Sequence, residues 1–467
     1  MNRIDASPTK SFFVEMLTRD IELEDSIMDL IDNCVDGVLR TIKNIQDSDQ
    51  EKPYANFYAN LTINENEFTI KDNCGGIPND VAMNSAFRMG KVNYYEQDQD
   101  LATVGFYGIG MKRAVFKMGE DINITSTNSE NTFCVNISEE WLRNSEWDLQ
   151  MQELNTGLRS LGTHISVKKL HNNIKQHFEN QSFINRLIHN LEKYYAFIIN
   201  KGFSISVNNI DVKPYNTSLI IGDVNQETNI APYIYKGKIK DVDVLLQVGI
   251  YRSIPNEDEL SKEDRYNRST SLSGWTIICN DRVVVYNDKS MKTGWGEHPV
   301  PSYHNQYIGI AGVVIMTSPT PNNLPLTTTK RGVDSSSEVY MIVKNYMRIG
   351  TKIFTDHTNR WKKQISDEKE LISKLESKQI DKIASSIPID KWKTSNNKKA
   401  IESEGTFFMP KLPRPSTINN VKSIRYSVNK FDFERLSMHM FNMPNYNASD
   451  LGSKLFYDAI QLLNEEE

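Results

Sequence analysis

Three short segments in the first third of the chain constrain its fold more than any other feature. DLIDNCVDG covers residues 29–37, KDNCGGIP covers residues 71–78 and VGFYGIGMKRA covers residues 104–114. Their order is an acidic helix with an asparagine, then an Asp-Gly-Gly turn, then a glycine-rich loop that runs into a helix. Any one of them alone is weak, but in this order they predict that distant parts of the chain form one nucleotide pocket.

The first segment has the pattern of an amphipathic helix with a second, polar face. Its apolar stripe falls at Ile27, Ile31, Cys34 or Val35, and Val38. Asp29, Asn33 and Asp36 share a different narrow face. A carboxylate one turn before an asparagine suits water activation beside a metal, with Asp29 acting on the water and the Asn33 carbonyl binding Mg²⁺. A solvated acidic face is the alternative for this helix taken alone.

The second segment follows an alternating pattern that predicts a strand over residues 60–71, ending at Asp72. A buried Asp72 carboxylate can accept a hydrogen bond from an adenine amino group, and Gly76 lets the backbone of Gly76 and Ile77 approach the base. An ordinary β-turn is the alternative. Further along, we expect the Thr163 hydroxyl to bridge to Asp72 and adenine.

The glycine-rich loop is the most specific of the three segments. Its predicted phosphate-binding residues are Gly105, Tyr107, Gly108, Ile109, Gly110 and Lys112. Glycines leave backbone N–H groups free for phosphate oxygens, and the start of the following helix adds positive potential. A dinucleotide fingerprint would need a strand before the loop, but residues 93–103 are polar and loop-like.

Together these segments resemble the GHKL ATPases, the superfamily of gyrase B, heat-shock chaperone, histidine kinase and MutL ATP-binding domains. The resemblance implies ATP and Mg²⁺ as cofactors. It also implies an α/β sandwich (the Bergerat fold) over residues 1–215, in which helices cover one face of a mixed sheet. Residues 88–104 then correspond to a lid over ATP.

The strand-rich stretch 216–335 resembles the transducer domain of gyrase B, MutL and the MORC proteins. In those proteins a loop lysine reaches the γ-phosphate, and residues 322–330 resemble that loop, so Lys330 is the candidate here. Residues 274–296 also resemble the second domain of MORC-like members, without a chemical task that we can assign. The expected fold class is therefore α+β, with a C-terminal helical region after these two domains.

Beyond residue 335 the resemblance ends. We expect a charged helix over residues 336–380, a linker over 381–420 and a small helical element over 421–467. Residues 351–400 contain 12 Lys or Arg against 7 Asp or Glu, with Trp361 and Trp392 among them. Basic residues with interleaved aromatics suit DNA binding, and a solvated helix with charges of both signs is the alternative.

Composition limits the cellular setting more than the chemistry. A length of 467 residues suggests two to four domains, and no segment has the pattern of a signal peptide or a membrane span. The four cysteines have no CxxC spacing, which predicts reduced thiols in a cytoplasmic protein. A net charge of −6 gives no general reason to expect nucleic acid.

Missing features narrow the type of ATPase. The first histidine is His164, so we do not expect the phosphoacceptor helix of a histidine kinase before the ATP segments, nor do we expect topoisomerase cleavage machinery after residue 335. The remaining expectation is a MORC-like clamp that forms a homodimer on ATP binding through residues 1–14, in a DNA-linked or phage-defence system. A chaperone-like ATPase is a further alternative.

Two residues depart from the superfamily pattern. Asp29 stands where many members have Glu, so its carboxylate is one methylene shorter and slow hydrolysis is expected. A nucleotide sensor that barely hydrolyses ATP and switches a partner effector is the alternative. Cys74 stands where glycine is usual, which bears on the geometry of the Asp-Gly-Gly turn.

Overall fold

A computed structural model describes residues 9–43, 51–88, 101–105, 108–158, 160–256, 259, 272–327, 330–394, 403–415, 424 and 427–466. The chain divides into two units, Met1–Pro415 and Ser416–Glu467. Most of the predicted lid, Tyr107 and the first eight residues lie outside the described residues.

The first part of unit Met1–Pro415 is a mixed sheet of eight strands with helices packed against it. The helices are α1 Lys10–Arg19, α2 Leu23–Ile42, α3 Asn79–Val81, α4 Gly110–Met118, α5 Glu139–Arg143, α6 Asn172–Glu179, α7 Gln181–Tyr194 and α8 Ala196–Asn200. The strands are β1 Tyr58–Ile63, β2 Phe68–Asp72, β3 Gly119–Thr127, β4 Thr132–Ile137, β5 Met151–Glu153, β6 Gly162–Leu170, β7 Ser204–Val207 and β8 Ile210–Asp211. Their order across the sheet is β5-β4-β3-β6-β2-β1-β7-β8, in which β1 and β7 pair in parallel.

The alternating pattern before Asp72 forms two strands and not the one that we predicted. The side chain of Asn64 accepts hydrogen bonds from the amides of Asn66 and Glu67, and this turn reverses the chain between β1 and β2. The alternation itself is confirmed, because Leu61 and Ile70 are both buried in the core between the sheet and α2.

The second part of this unit is built around another sheet. Its first strands along the chain are β9 Ser218–Ile221, β10 Tyr233–Ile239, β11 Val242–Ile250, β12 Gly274–Cys279, β13 Arg282–Asp288 and β14 Ile310–Thr317. Later elements are α9 Glu338–Trp361, α10 Ile365–Ser373, β15 Glu376–Gln379, α11 Ile380–Ile383, β16 Lys393–Thr394 and β17 Ser403–Phe408. Seven strands form the sheet in the order β13-β12-β14-β11-β10-β17-β16, and β9 pairs separately with β15. Helix α9 packs on this sheet, where Gly350 leaves no room for a side chain beside Val248.

Two expectations about the region after residue 335 differ from the structure. The expected charged helix is two helices, α9 and α10, followed by a strand. The stretch expected as a linker contains β17, which pairs along its whole length with β10. Local composition did not indicate β17, because its hydrogen-bonding partner lies about 170 positions earlier in the chain.

In the unit Ser416–Glu467 the described residues form the helices α12 Lys430–Phe441 and α13 Ala448–Glu466, within the stretch where a small helical element is expected. Asn442 follows the last residue of helix α12 and adopts the left-handed conformation, and the rings of Phe441 and Tyr446 stack across the turn. The fold class, α+β with C-terminal helices, is thus as expected. Within the described ranges, no helix has the length and apolar character needed to cross a bilayer.

Candidate nucleotide site

One cavity collects the residues that the three segments predicted. Helix α2 packs its stripe of Ile27, Ile31, Val35 and Val38 into the core and turns its polar face toward this cavity. The predicted residues that line it are Asp29, Asn33, Asp36, Asp72, Gly76, Ile77, Gly105, Gly108, Ile109, Gly110, Lys112, Thr163 and Lys330. Their chemical roles stay predictions, and Tyr107 lies outside the described residues.

Asp72 forms one end of the cavity. Its Oδ1 accepts hydrogen bonds from the amides of Cys74 at 2.8 Å and Thr163 at 3.2 Å, and its Oδ2 lies 3.6 Å from the sulfur of Cys34. Burial raises the pKa of Asp72, against the opposing effect of these two amides. The carboxylate is therefore held by the backbone, with its second oxygen available to a donor from a ligand.

The Asp-Gly-Gly turn accommodates Cys74 without difficulty. The left-handed conformations fall on the two glycines, with φ of 95° at Gly75 and 73° at Gly76. A Cβ added to Gly76 would lie 2.2 Å from the carbonyl oxygen of Thr127, so only glycine fits there. Cys74 itself is buried. The amide of Ile77 donates to the Ser126 hydroxyl at 2.8 Å, which fixes the end of the turn.

Thr163 approaches Asp72 in a different way from the one predicted. Its amide, and not its hydroxyl, donates to the Asp72 carboxylate. The Thr163 hydroxyl lies 3.4 Å from the hydroxyl of Ser126. The reason is that Gly162 sits against the backbone of Asp72, where a Cβ would lie 2.2 Å from the Asp72 carbonyl oxygen, so the next amide, that of Thr163, is close enough to reach the Asp72 carboxylate.

Asp36 holds the start of the glycine-rich loop. Its two carboxylate oxygens accept hydrogen bonds from the amides of Val104 and Gly105, each at 2.7 Å. Burial raises the pKa of Asp36, while Arg40 and the Val104 amide oppose that rise. Although Asp36 lines the cavity, its observed partners are backbone groups of the loop.

The loop enters α4 beside Asp29. Gly108 has a φ of 67°, and a Cβ on Gly110 would lie 3.3 Å from the Asp29 carboxyl carbon. Lys112 is buried, and its ammonium donates to the carbonyls of Ala86, at 2.9 Å, and Gly108. Burial lowers the pKa of Lys112 to about 8. The first turn of α4 therefore faces the cavity with backbone amides and one lysine beside them.

Asp29 and Lys330 meet, although about 300 positions separate them. The Lys330 ammonium lies 3.3 Å from Asp29 Oδ1 and 2.8 Å from Asp32 Oδ2. Burial would lower the pKa of Lys330, but the carboxylates of Asp32 and Asp29 raise it above its ordinary value. Arg113 pairs with the other oxygen of Asp29 at 2.6 Å. The candidate base therefore lies between two cations.

Asp32 is a buried residue of the site that sequence reasoning missed. Besides Lys330, it accepts hydrogen bonds from Arg282 Nε at 3.0 Å and from the Tyr195 hydroxyl at 2.7 Å. Burial alone would raise the pKa of Asp32, but Lys330 and Arg282 hold it below its ordinary value. The guanidinium of Arg282 also stacks over the ring of Tyr195, with its carbon 4.2 Å from the ring centroid.

The turn between β12 and β13 lies within residues 274–296, and its contacts give that stretch a structural role. The Asn280 amide nitrogen donates to the carbonyl of Thr103, next to the glycine-rich loop, at 3.0 Å. Asp281 pairs with Lys201 at 2.6 Å and accepts from the Tyr54 hydroxyl at 2.7 Å. With Arg282, this turn joins the second sheet to α2 and to the loop.

The donor set fits a magnesium ion held mainly by phosphates. Among the residues that the structure describes, no cluster of three or more His, Cys, Asp or Glu side chains is arranged to hold a metal. Asn33 is exposed into the cavity between the buried Asp32 and Cys34. Magnesium keeps several waters and is commonly bound by one or two protein oxygens with substrate phosphates, so the carbonyl of Asn33 suits it.

The segment predicted to bind DNA, of which residues 351–394 are described, does not present Trp361 for stacking. Trp361 is buried, and its indole nitrogen donates to the Pro413 carbonyl at 3.1 Å. Basic residues of the segment pair with nearby acids, as Lys369 does with Glu259 and Lys374 with Glu370. This arrangement favours the alternative, a solvated surface with charges of both signs.

Comparison with known families adds an independent observation. Residues 21–167 match the family described as histidine kinase-, DNA gyrase B-, and HSP90-like ATPase. The match includes all three segments and Thr163, and it ends before the second sheet and Lys330. No curated protein matches the chain.

Proposed function

Since residues 21–167 belong to the histidine kinase-, DNA gyrase B- and HSP90-like ATPases of the GHKL superfamily, we propose that this cavity binds Mg²⁺ and ATP and slowly hydrolyses the nucleotide. The observation that carries the proposal is the meeting of Asp72, the glycine-rich loop, and the Asp29–Lys330 pair around one cavity. In the proposal Asp72 binds adenine, the glycine-rich loop binds the triphosphate, and the Asp29–Lys330 pair acts on the phosphoryl group that is transferred.

Each part has a distinct task in the proposal. Asp72 accepts a hydrogen bond from the adenine amino group. The amides at the start of α4 hold the phosphates with Lys112. Asn33 holds Mg²⁺, which neutralises charge on the phosphate oxygens when bound. Asp29 orients the attacking water and accepts its proton.

Lys330 supplies fixed positive charge at the reacting end. Its ammonium is already in the cavity, and its two carboxylate partners are the ones that an incoming γ-phosphate would compete with. Stabilising charge on the transferred phosphoryl group is the main source of rate in this chemistry.

Steady-state phosphate release tests this function. We expect Lys330→Ala to lower the rate about 10²- to 10³-fold, because a removed transition-state donor commonly has that effect. Asn33→Ala is expected to lower it further by weakening Mg²⁺ binding. Lys344→Ala is a matched control, because Lys344 pairs with Glu297 away from the cavity. Equal rates in wild type and both site variants would contradict the proposal.

A nucleotide sensor that switches an effector, in a DNA-linked or phage-defence setting, is the second candidate. It is favoured by the position of Asp29, which has a short side chain and already pairs with Arg113 and Lys330. Tight ATP binding by calorimetry with no phosphate release above a blank would support the sensor. Turnover that disappears in Asp29→Asn would support the enzyme.

ATP-dependent dimerisation through the N-terminal segment is part of the proposal. On α1, the side chains of Phe12 and Met16 lie one turn apart and are 55% and 58% exposed, which suits contact with a second copy. Light scattering with AMP-PNP and Mg²⁺ should detect a dimer that Phe12→Ser abolishes. Met341→Ser changes a similarly exposed residue elsewhere and should have no effect. A wild-type monomer under every nucleotide condition would contradict dimerisation.

A further inference from the structure

Arg113 is a buried cation of the cavity that none of the predicted roles uses. It lies in the first turn of α4, three positions after Gly110, and lines the cavity with its side chain 12% exposed. One terminal nitrogen pairs with Asp29 at 2.6 Å, while its buried Nε has no hydrogen-bond partner. A buried donor without a hydrogen-bond partner costs free energy. An anionic ligand that accepts a hydrogen bond from this guanidinium would remove that cost.

The position of Arg113 along the cavity identifies the part of the ligand that it would meet. Asp72 lies beside Cys34, which is on helix α2. Asp29 precedes Cys34 by five residues on that helix, which is roughly 8 Å along the helix axis. The adenine end and the Asp29 end of the cavity are therefore well separated. Because the first turn of α4 also abuts Asp29, the Asp29 end is the phosphate end.

The cations at this end share their carboxylate partners. Asp29 pairs with both Arg113 and Lys330, and Asp32 pairs with both Lys330 and Arg282. Arg282 is held by Asp32 and by backbone carbonyls, so it is not free to move. Arg113 and Lys330, in contrast, line the cavity and both pair with Asp29, so they are placed to exchange it for another anion.

We propose that Arg113 is a catalytic residue that binds the γ-phosphate of ATP and, until nucleotide arrives, holds Asp29 in an ion pair; this inference rests on the proposed function. When ATP binds, Arg113 and Lys330 exchange Asp29 for γ-phosphate oxygens, and the freed carboxylate accepts a hydrogen bond from water. The water oxygen then bonds to phosphorus as the bond to the bridging oxygen breaks. That electron pair stays on ADP, and the water proton passes to Asp29 and on to solvent.

The test separates this role from a structural one by working in an Asp29→Asn background, where the ion pair is already absent. Calorimetry with Mg²⁺ compares AMP-PNP with ADP. We expect Arg113→Met to weaken AMP-PNP binding by about 10- to 100-fold and to leave ADP binding within about twofold, because only AMP-PNP has a γ-phosphate. Equal weakening of both ligands, or of neither, would overturn the inference.

Kinetics in the otherwise wild-type chain give a second readout. Arg113→Lys keeps the charge but loses the planar fork, so we expect kcat to fall at least about tenfold with little change in KM. Lys117→Met is the matched control, because Lys117 is on the same helix and donates to the Thr18 carbonyl outside the cavity. Unchanged kcat in Arg113→Lys would refute the role. If wild type binds neither ADP nor AMP-PNP, the proposed function itself fails.

Discussion

Replacing Arg282 by methionine should destabilise the chain far more than replacing an exposed arginine. Arg282 is 3% exposed, and it donates to Asp32 at 3.0 Å and to the Tyr194 carbonyl at 3.0 Å. Removing one partner of a buried ion pair costs about 3–5 kcal/mol, because the remaining charge is left without compensation. Since Asp32 keeps Lys330 at 2.8 Å, we expect a loss near 3 kcal/mol, at the lower end of that range.

Equilibrium urea unfolding followed by tryptophan fluorescence measures this loss. With a denaturant slope of about 3 kcal/mol/M, the midpoint for Arg282→Met should fall by about 1 M. The matched control is Arg186→Met, because Arg186 also pairs with a carboxylate of α2 but its side chain is 59% exposed. Such surface pairs contribute at most about 1 kcal/mol, so the control should shift the midpoint by less than about 0.3 M.

A double-mutant cycle assigns the effect to the Arg282–Asp32 contact. Asp32→Asn removes the carboxylate that Arg282 compensates, so the two substitutions together should cost about 2 kcal/mol less than the sum of the single losses. An Arg282→Met midpoint no lower than that of Arg186→Met would refute the reasoning. Strict additivity of the two substitutions would refute it as well.

Three further predictions concern single groups. Because burial lowers the pKa of Lys112 to about 8, the free protein loses this ammonium above that pH. ATP affinity measured by calorimetry should therefore fall between pH 7.5 and 9, more steeply than in Lys112→Met. Gly76→Ala would place its Cβ 2.2 Å from the Thr127 carbonyl oxygen, so nucleotide binding should be lost, whereas Gly452→Ala, with nothing within 4 Å, should bind normally. Burial raises the pKa of Glu368 from 4.5 to about 7, so between these pH values the folded state holds a proton that the unfolded chain has released. The urea midpoint should therefore decrease as the pH is raised from 4.5 to 7, and Glu368→Gln should make that decrease smaller.

The contents of the cavity were largely predictable from sequence because each segment carries a local signal. Asp72 ends an alternating strand, the two glycines of the turn take left-handed conformations, and Gly110 begins a helix. These are properties of neighbouring residues in the chain. Their order was enough to predict that they meet, and the cavity contains them.

The charged network behind the cavity could not be predicted in the same way. In the sequence, Asp32 is one more acid on a helix that already has two on its polar face. Its burial depends on Arg282, which is 250 positions away, and on Tyr195. Arg113 likewise resembles any helix-surface arginine until its distance to Asp29 is known. The partners of buried charges are set by tertiary packing, which local patterns do not record.

Strand β17 was missed for a related reason. Its residues give no periodic pattern long enough to separate them from a loop, and the strand is stabilised by pairing with β10. Edge pairing of this kind depends on a distant strand presenting free backbone groups, so it becomes visible only once the sheet is known.

A crystal structure with Mg²⁺ and AMP-PNP tests the shared nucleotide pocket most directly. The adenine amino nitrogen should lie about 3 Å from Asp72, with the γ-phosphate at the amides that begin α4 and within reach of Lys330. Bound AMP-PNP that contacts Asp72 but directs its phosphates away from Gly108 and Lys330, or that occupies another part of the chain, would contradict a single site built from these segments.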